Sequence, residues 1–391
     1  MGQLTNVLAE VPRFRADKRL RFYRPELDGL RFYAFLVVFA CHSFPRERAF
    51  YGRLHLPVPW LWAAVIKSGA AGVDLFFALS AFLITSLLLR ERQDTGGISL
   101  RLFYIRRVLR IWPLYFLVVA LGIGAALPRA NQSHLWYYDQ SLPWYYVAGY
   151  VLFVANWVTA IFGIPESVCS PLWTVSIEEQ FYLVWPALMR MLKRRGMIIA
   201  GILTFLLSTV SQIGIVLGGV DGGLIYFGSA SRCDSLALGI LLALYADRLP
   251  KLTSGTRFLL VACGLLAWII SSAWLTDQPG PVNMRTVLGQ LIVSMASGAI
   301  LYGCLSSSNK LVTGHWVVRL GKVSYGLYML HFTGLLIVLS LLRPAYGWKL
   351  LAAKALAFVL TVFLALASYR WIESPFLRLK ERFATIPSRP V

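Results

Sequence analysis

Apolar runs follow one another along the chain at approximately 29–46, 66–89, 109–127, 144–162, 171–189, 197–218, 224–246, 257–275, 285–305, 324–342 and 348–369, with short polar and often basic connections. Each approaches the ~20 residues an α-helix needs to span the hydrocarbon of a bilayer. The pattern predicts an all-α, polytopic integral membrane protein. If all these runs crossed, the cluster Arg190, Lys193, Arg194 and Arg195 would lie opposite the basic N-terminus and the loop from Arg90 to Arg107. Positive charge stays inside, so one run does not span. The run 144–162 fits that role: it follows the aromatic stretch Leu135, Trp136, Tyr137, Tyr138 and ends at Gly163 and Pro165, as an interfacial or re-entrant segment would.

About ten crossings remain, with both termini in the cytoplasm. Of the 38 Lys and Arg, about 27 then fall on the N-terminal side, about 7 on the other, and the rest inside apolar runs.

Composition agrees with this reading. The chain is 58% hydrophobic and 14% charged, with a mean hydropathy of +0.64, which no soluble core with a polar surface would require. The net charge of +20 sits in short loops, where it sets topology and does not call for nucleic acid. Cys41, Cys169, Cys233, Cys263 and Cys304 show no paired spacing, which argues against a disulfide framework and a zinc site. Residues 1–26 are basic without an apolar core and read as a cytoplasmic tail, not a removed signal peptide. Residues 27–379 form one membrane-embedded domain and 380–391 a second cytoplasmic tail. No Walker loop, dinucleotide fingerprint, metal-spaced histidine pair or lipase-type serine elbow is present, so no metal and no permanently bound cofactor is expected.

The ionisable residues inside the runs carry the chemistry, since an unpaired charge in hydrocarbon costs a few kcal/mol or more. Lys67 and Lys354 lie near run ends, from which they can snorkel. Arg31 and His42 share the first run. Their spacing brings them back to within about 20° of one helix face, with a rise of roughly 16 Å. A groove between them would suit an extended thioester with its phosphates at the inner face. The bland alternative is a histidine hydrogen-bonded to a neighbouring helix.

Glu178 and Glu179 lie on the run that also holds Trp173, Ser176 and Tyr182, at a depth comparable with His42. Adjacent residues point about 100° apart, so only one glutamate readily faces a given site. A carboxylate and His42 at one depth could orient a proton acceptor, or merely tie two helices. Arg106, Arg107 and Arg110 open the third run from the cytoplasmic side, where they could hold phosphate, bind lipid head groups or set topology. Asp74, Glu179, Arg232, Tyr325 and His331 are assigned to substrate contact or to the cavity wall. His55, His134 and His315 lie in loops and give no signal.

With these residues in view, the chain resembles the acyltransferase-3 family of bacterial membrane acyltransferases from about Arg24 to Leu379. LDGLRFYAFLVVFACH, Leu27 to His42, is similar to the family's first-helix signature, in which an arginine is followed by ten residues and a histidine with a catalytic role. GVDLFFALSAFLITSLL from Gly72 and FYIRRVLRIWPLY from Phe103 resemble its second-helix and arginine motifs. PLWTVSIEEQFYLVWP from Pro171, SRCDSLALG from Ser231, SYGLYMLHF from Ser324 and WIESPF from Trp371 follow in the family's order. The chain departs at Phe32, where the family usually has glycine, and at Ala81, where it has Ser-Gly-Phe. Both add bulk where helices pack. The short stretch after Glu373 is expected to leave all chemistry in the membrane domain, without the hydrolase-like domain some members append.

The resemblance implies transfer of an acyl group, by default acetyl, from acyl-CoA to a hydroxyl of a glycan, glycolipid or other acceptor. It also implies a multi-pass protein of the bacterial inner membrane. His42 is expected to act as general base or to carry the acyl group covalently, oriented by Glu178, with Arg31 and Arg232 stabilising charge and phosphates near Arg107 and Arg110. The rival reading is a transporter that moves a sugar or acyl-bearing substrate without forming a bond.

Overall fold

The computed structural model describes residues 23–125, 142–220, 222–276, 281–343 and 347–386. Most of the basic tail, His134, the aromatic stretch 135–138 and the last residues of the C-terminal tail lie outside the described residues. Among the described residues there is no strand. Helices α1 (Pro25–Ser43), α2 (Gly72–Thr95) and α3 (Leu100–Ala125) are followed by the short α4 (Trp144–Val151) and α5 (Ala155–Phe162). Next come α6 (Trp173–Met191), α7 (Arg194–Leu217), α8 (Cys233–Tyr245), α9 (Ser254–Ser271) and α10 (Met284–Cys304). The chain closes with α11 (Ser324–Leu342), α12 (Trp348–Ser368) and α13 (Ser374–Glu381).

Seven helices among the described residues are long and apolar enough to cross a membrane. This makes the protein a polytopic membrane protein. The first and fifth runs fall outside that set because of their charges: α1 holds Glu26, Asp28 and Arg31, and α6 holds Glu178, Glu179 and Arg190. The run 224–246 is discontinuous: a short helix Gly223–Phe227 and a turn Ala230–Arg232 precede the 13 residues of α8. That break sets Arg232 at the N-terminal end of α8.

The run 144–162 forms no continuous span. At 1.5 Å per residue its two eight-residue helices are each about 12 Å long. They are separated by a left-handed Phe153, φ 55°. Polar side chains satisfy the broken backbone: Gln180 Nε2 donates to Phe153 O at 2.8 Å, Tyr115 Oη to Tyr150 O at 2.9 Å, and Tyr146 Oη to Gly163 O at 2.8 Å. Non-helical backbone at membrane depth requires such partners.

Burial sorts the helices. The apolar window of the span containing α2 is 72% buried, against 17% for α7 and 22% for both α9 and the span containing α12. The second helix is therefore central, while the others present Leu203, Leu207, Phe258 and Phe363 to lipid. α2 packs closely on α8, where a Cβ on Gly239 would lie 2.9 Å from the Cβ of Ala81 and collide with the Ala78 carbonyl. Gly239 thus makes room for Ala81, which is fully buried.

Candidate functional site

α1 begins with Pro25 in its first turn and ends where Phe44, extended before Pro45, can no longer continue the helix. His42 therefore sits in the last turn. Just beyond it, Arg46 folds back and donates from Nε to Cys41 O at 3.1 Å, satisfying a carbonyl near the helix end. Tyr51 holds this loop by donating to Pro45 O at 2.6 Å; burial, then the nearby Glu47, pushes its phenol up to about 12, so it remains a donor.

His42 Nδ1 lies 3.0 Å from His331 Nε2, with the rings stacked at a centroid distance of 5.2 Å. His331 is fully buried on α11, and its Nδ1 lies 2.6 Å from Tyr328 O. A carbonyl only accepts, so His331 carries its proton on Nδ1 and, when neutral, presents a lone pair at Nε2. His42 must then donate from Nδ1, which leaves the lone pair of His42 on Nε2. Sequence spacing suggested Glu178 as the partner of His42; His331 takes that place.

His42 lines a cavity of about 850 Å³ together with Arg46, Lys67, Asp74, Gln290 and Tyr328, among others. Arg232 also lines it and is ion-paired with Asp74 at 3.0 Å, both side chains being buried. Asp74 Oδ1 additionally accepts from Ser235 Oγ at 3.0 Å and Gln290 Nε2 at 3.1 Å. Removing two charges from water requires this degree of satisfaction.

Glu178 lies in a second pocket, of about 90 Å³, with Arg31, Arg107, Arg110, Tyr182, Tyr325 and other residues. Val73 and Tyr328 belong to the walls of both cavities. Glu178 Oε2 accepts from Tyr182 Oη at 3.1 Å, and Tyr182 Oη is 2.5 Å from Ser80 Oγ. Of the two glutamates, Glu178 therefore faces the pocket. Glu179 lines neither cavity, and its Oε1 is buried with no hydrogen-bond partner among the described residues. Tyr328 Oη is tied to α6 through Thr174 Oγ1 at 2.9 Å, and Tyr325 Oη donates to Ile111 O at 2.7 Å.

The three arginines of α3 part company. Arg107 and Arg110 line the pocket beside Arg31, and Arg31 lies 3.9 Å from Asp28. Arg107 stacks over Tyr182, and its buried Nε has no acceptor among the described residues. Arg106 instead pairs with Glu91 at 2.9 Å and donates to Phe383 O and Thr385 Oγ1, both at 3.0 Å, which ties α3 to the segment after α13. Among the described residues no cluster of three His, Cys, Asp or Glu side chains could hold a metal ion.

Sequence reading missed two cavity cations. Arg46 lies in a loop, where charge is unremarkable, and Lys67 was assigned to the interface although its place inside an apolar run was a usable signal. Both also line a further cavity of about 750 Å³, with Glu47, Arg48, Trp60 and Trp274.

Comparison with known proteins adds a family. The one described as Acyltransferase domain matches residues 24–370. Putative O-acetyltransferase SAS0844 of Staphylococcus aureus is 29% identical over 96% of this chain and 60% of its own length. Peptidoglycan O-acetyltransferase OatA of Listeria monocytogenes is 27% identical over 92% of this chain and 57% of its own. Putative peptidoglycan O-acetyltransferase YrhL of Bacillus subtilis is 30% identical over 90% of this chain and 55% of its own. The chain thus spans little more than half the length of these curated relatives. No solved structure matches it significantly.

Proposed function

The chain belongs to the acyltransferase domain family, and on that premise we propose that it is a membrane O-acyltransferase that moves an acyl group, acetyl first among candidates, from acyl-CoA to an acceptor hydroxyl. Relatives named peptidoglycan O-acetyltransferases make a cell-wall glycan the first acceptor to test. No observation favours transport without bond formation. The bacterial cytoplasmic membrane, with both termini inside, suits the distribution of basic loops.

The observation that carries the reading is the chain from Tyr328 O through His331 to His42, which leaves a basic nitrogen on the residue lining the larger cavity. His42 Nε2 takes the proton of the acceptor hydroxyl as its oxygen attacks the thioester carbonyl. The C–S bond then breaks, and the imidazolium returns the proton to the departing CoA thiolate. In the covalent variant, Nε2 attacks the thioester itself and CoA leaves as the thiolate; the acceptor hydroxyl then displaces the acyl group from the imidazole, and its proton neutralises the thiolate. Both routes use the same nitrogen.

The donor phosphates fit beside Arg107 and Arg110, where a phosphate oxygen would supply the acceptor that Arg107 Nε lacks among the described residues. Acceptor and donor would meet at Tyr328. The test is thiol release from acetyl-CoA by the purified chain with glycan acceptors, together with acetyl mass on the product. His42→Ala is expected to abolish both while membrane insertion persists; normal transfer by that variant would overturn the reading.

A further inference from the structure

The cavity beside the His42 site has features of its own. Its wall carries Arg46, Arg48 and Lys67 against the single acid Glu47, and it contains two indoles, Trp60 and Trp274, whose centroids lie 6.3 Å apart at 41°. Both are about half exposed, at 51% and 55%. Arg46 and Lys67 stand between this cavity and that of His42 and belong to both walls. At about 750 and 850 Å³, each is large enough for one small ligand, since such ligands occupy roughly 300–1,000 Å³. The pair offers more room than a single sugar or a lone acyl chain would fill.

The backbone before Trp60 is strained. His55 and Val58 both hold left-handed conformations, φ 55° and 50°, which is unfavourable for a β-branched valine. Trp62 Nε1 donates to Pro57 O at 2.9 Å and clamps the turn. Trp60 stands in the first turn of the 37-residue helical span Pro59–Thr95, which is longer than the ~20 residues a crossing needs. Trp274 is next to the last residue of the span Ser254–Leu275, so both indoles stand at span ends, where tryptophan typically meets the membrane–water interface.

Building on the O-acyltransferase reading, we propose that this cavity is a second acceptor subsite that takes the continuation of an extended, anionic glycan whose reacting unit sits at His42. Trp60 and Trp274 offer flat faces for the apolar sides of sugar rings. Arg46 and Lys67 bind a carboxylate or phosphate between the two units. A single neutral sugar engages only the His42 cavity.

The test is equilibrium binding to the full chain in zwitterionic nanodiscs, without acyl donor, using oligosaccharides of one, three and five units in neutral and uronic-acid series. Affinity is expected to rise with length in the acidic series, by about tenfold or more between one and five units. Trp60→Ala with Trp274→Ala, and Arg46→Gln with Lys67→Gln, are expected to erase that gain. Trp60→Phe, which keeps a ring, retains part of it, and Trp316→Ala, at an exposed indole elsewhere, changes nothing. Equal affinity for all lengths and both series would overturn the proposal. So would loss of oligosaccharide binding in nanodiscs of anionic lipid, which would make the cavity a head-group site. Absence of thiol release from acetyl-CoA by the same preparation would count against the acyltransferase reading, while the length and charge preference would still be decided.

Discussion

His42 and His331 stack with Nδ1 and Nε2 3.0 Å apart, although 289 positions separate them in the chain. Because Tyr328 O fixes the proton on the far side of His331, this contact selects the tautomer of His42 and leaves Nε2 basic. His331→Leu removes the acceptor for His42 Nδ1 and is expected to lower kcat by about 10²–10⁴-fold, the scale seen when a catalytic imidazole is held in the wrong tautomer. His331→Gln, whose amide oxygen can still accept, should recover part of that loss. Thiol-release kinetics on both variants check this, and KM should stay near wild type because buried His331 touches no substrate.

The neighbouring arginines of α3 should separate in kinetics. Arg107→Gln and Arg110→Gln each raise KM for acyl-CoA by about tenfold through loss of a charge-assisted phosphate contact. Arg106→Gln leaves that KM alone and lowers stability instead, because Glu91 is then buried without its cation, a change costing about 3–5 kcal/mol. Acyl-CoA titrations and thermal unfolding in detergent distinguish the two behaviours.

Tyr328 stands in the walls of both cavities. Tyr328→Ala opens that wall and is expected to allow water to meet the thioester, so acetyl-CoA consumption without acceptor should rise several-fold. Tyr328→Phe loses the hydroxyl contacts with Thr174 Oγ1 and Pro171 O and should cost roughly 0.5–1.5 kcal/mol of stability with little uncoupling. Thiol release with and without acceptor reads the difference.

The Asp74–Arg232 pair predicts a rescue. Asp74→Asn leaves a buried guanidinium without its anion and is expected to destabilise by about 3–5 kcal/mol, and a second change, Arg232→Gln, should restore part of that loss. Thermal unfolding of the single and double variants measures the coupling.

Much of this was legible in the sequence. Run length exposed the long helices; charge parity required one run not to span, and the aromatic stretch before 144–162 with Gly163 and Pro165 after it picked out that run. The break before α8 escaped notice because Gly228 to Ser231 interrupt the run without strong polarity. His42, Glu178 and Arg31 stood out as charges or imidazole in hydrocarbon, but their partners did not. No spacing rule links His42 to His331, and adjacency gave no sign that Arg106 turns to Glu91 while Arg107 turns to the pocket. Arg46 was invisible because a loop cation is ordinary; only the fold brings it back over the helix end.

The first helix has a consequence for biogenesis. With Glu26, Asp28 and Arg31 in one turn and a half, α1 is a poor candidate for stable insertion by itself. Segments far downstream pack on its first turns, where Gly29 lies against the Val312 carbonyl and Gly321 against the Asp28 carbonyl, and Glu26 accepts from Ser306 N at 2.9 Å. The segment made first is thus completed by segments made nearly three hundred residues later. At translation rates of roughly 5–20 residues per second, a nascent chain carries its first helix half-finished for tens of seconds. Until then, the Ser306 amide that Glu26 accepts from is missing, and lipid head groups, water or a membrane chaperone must take its place.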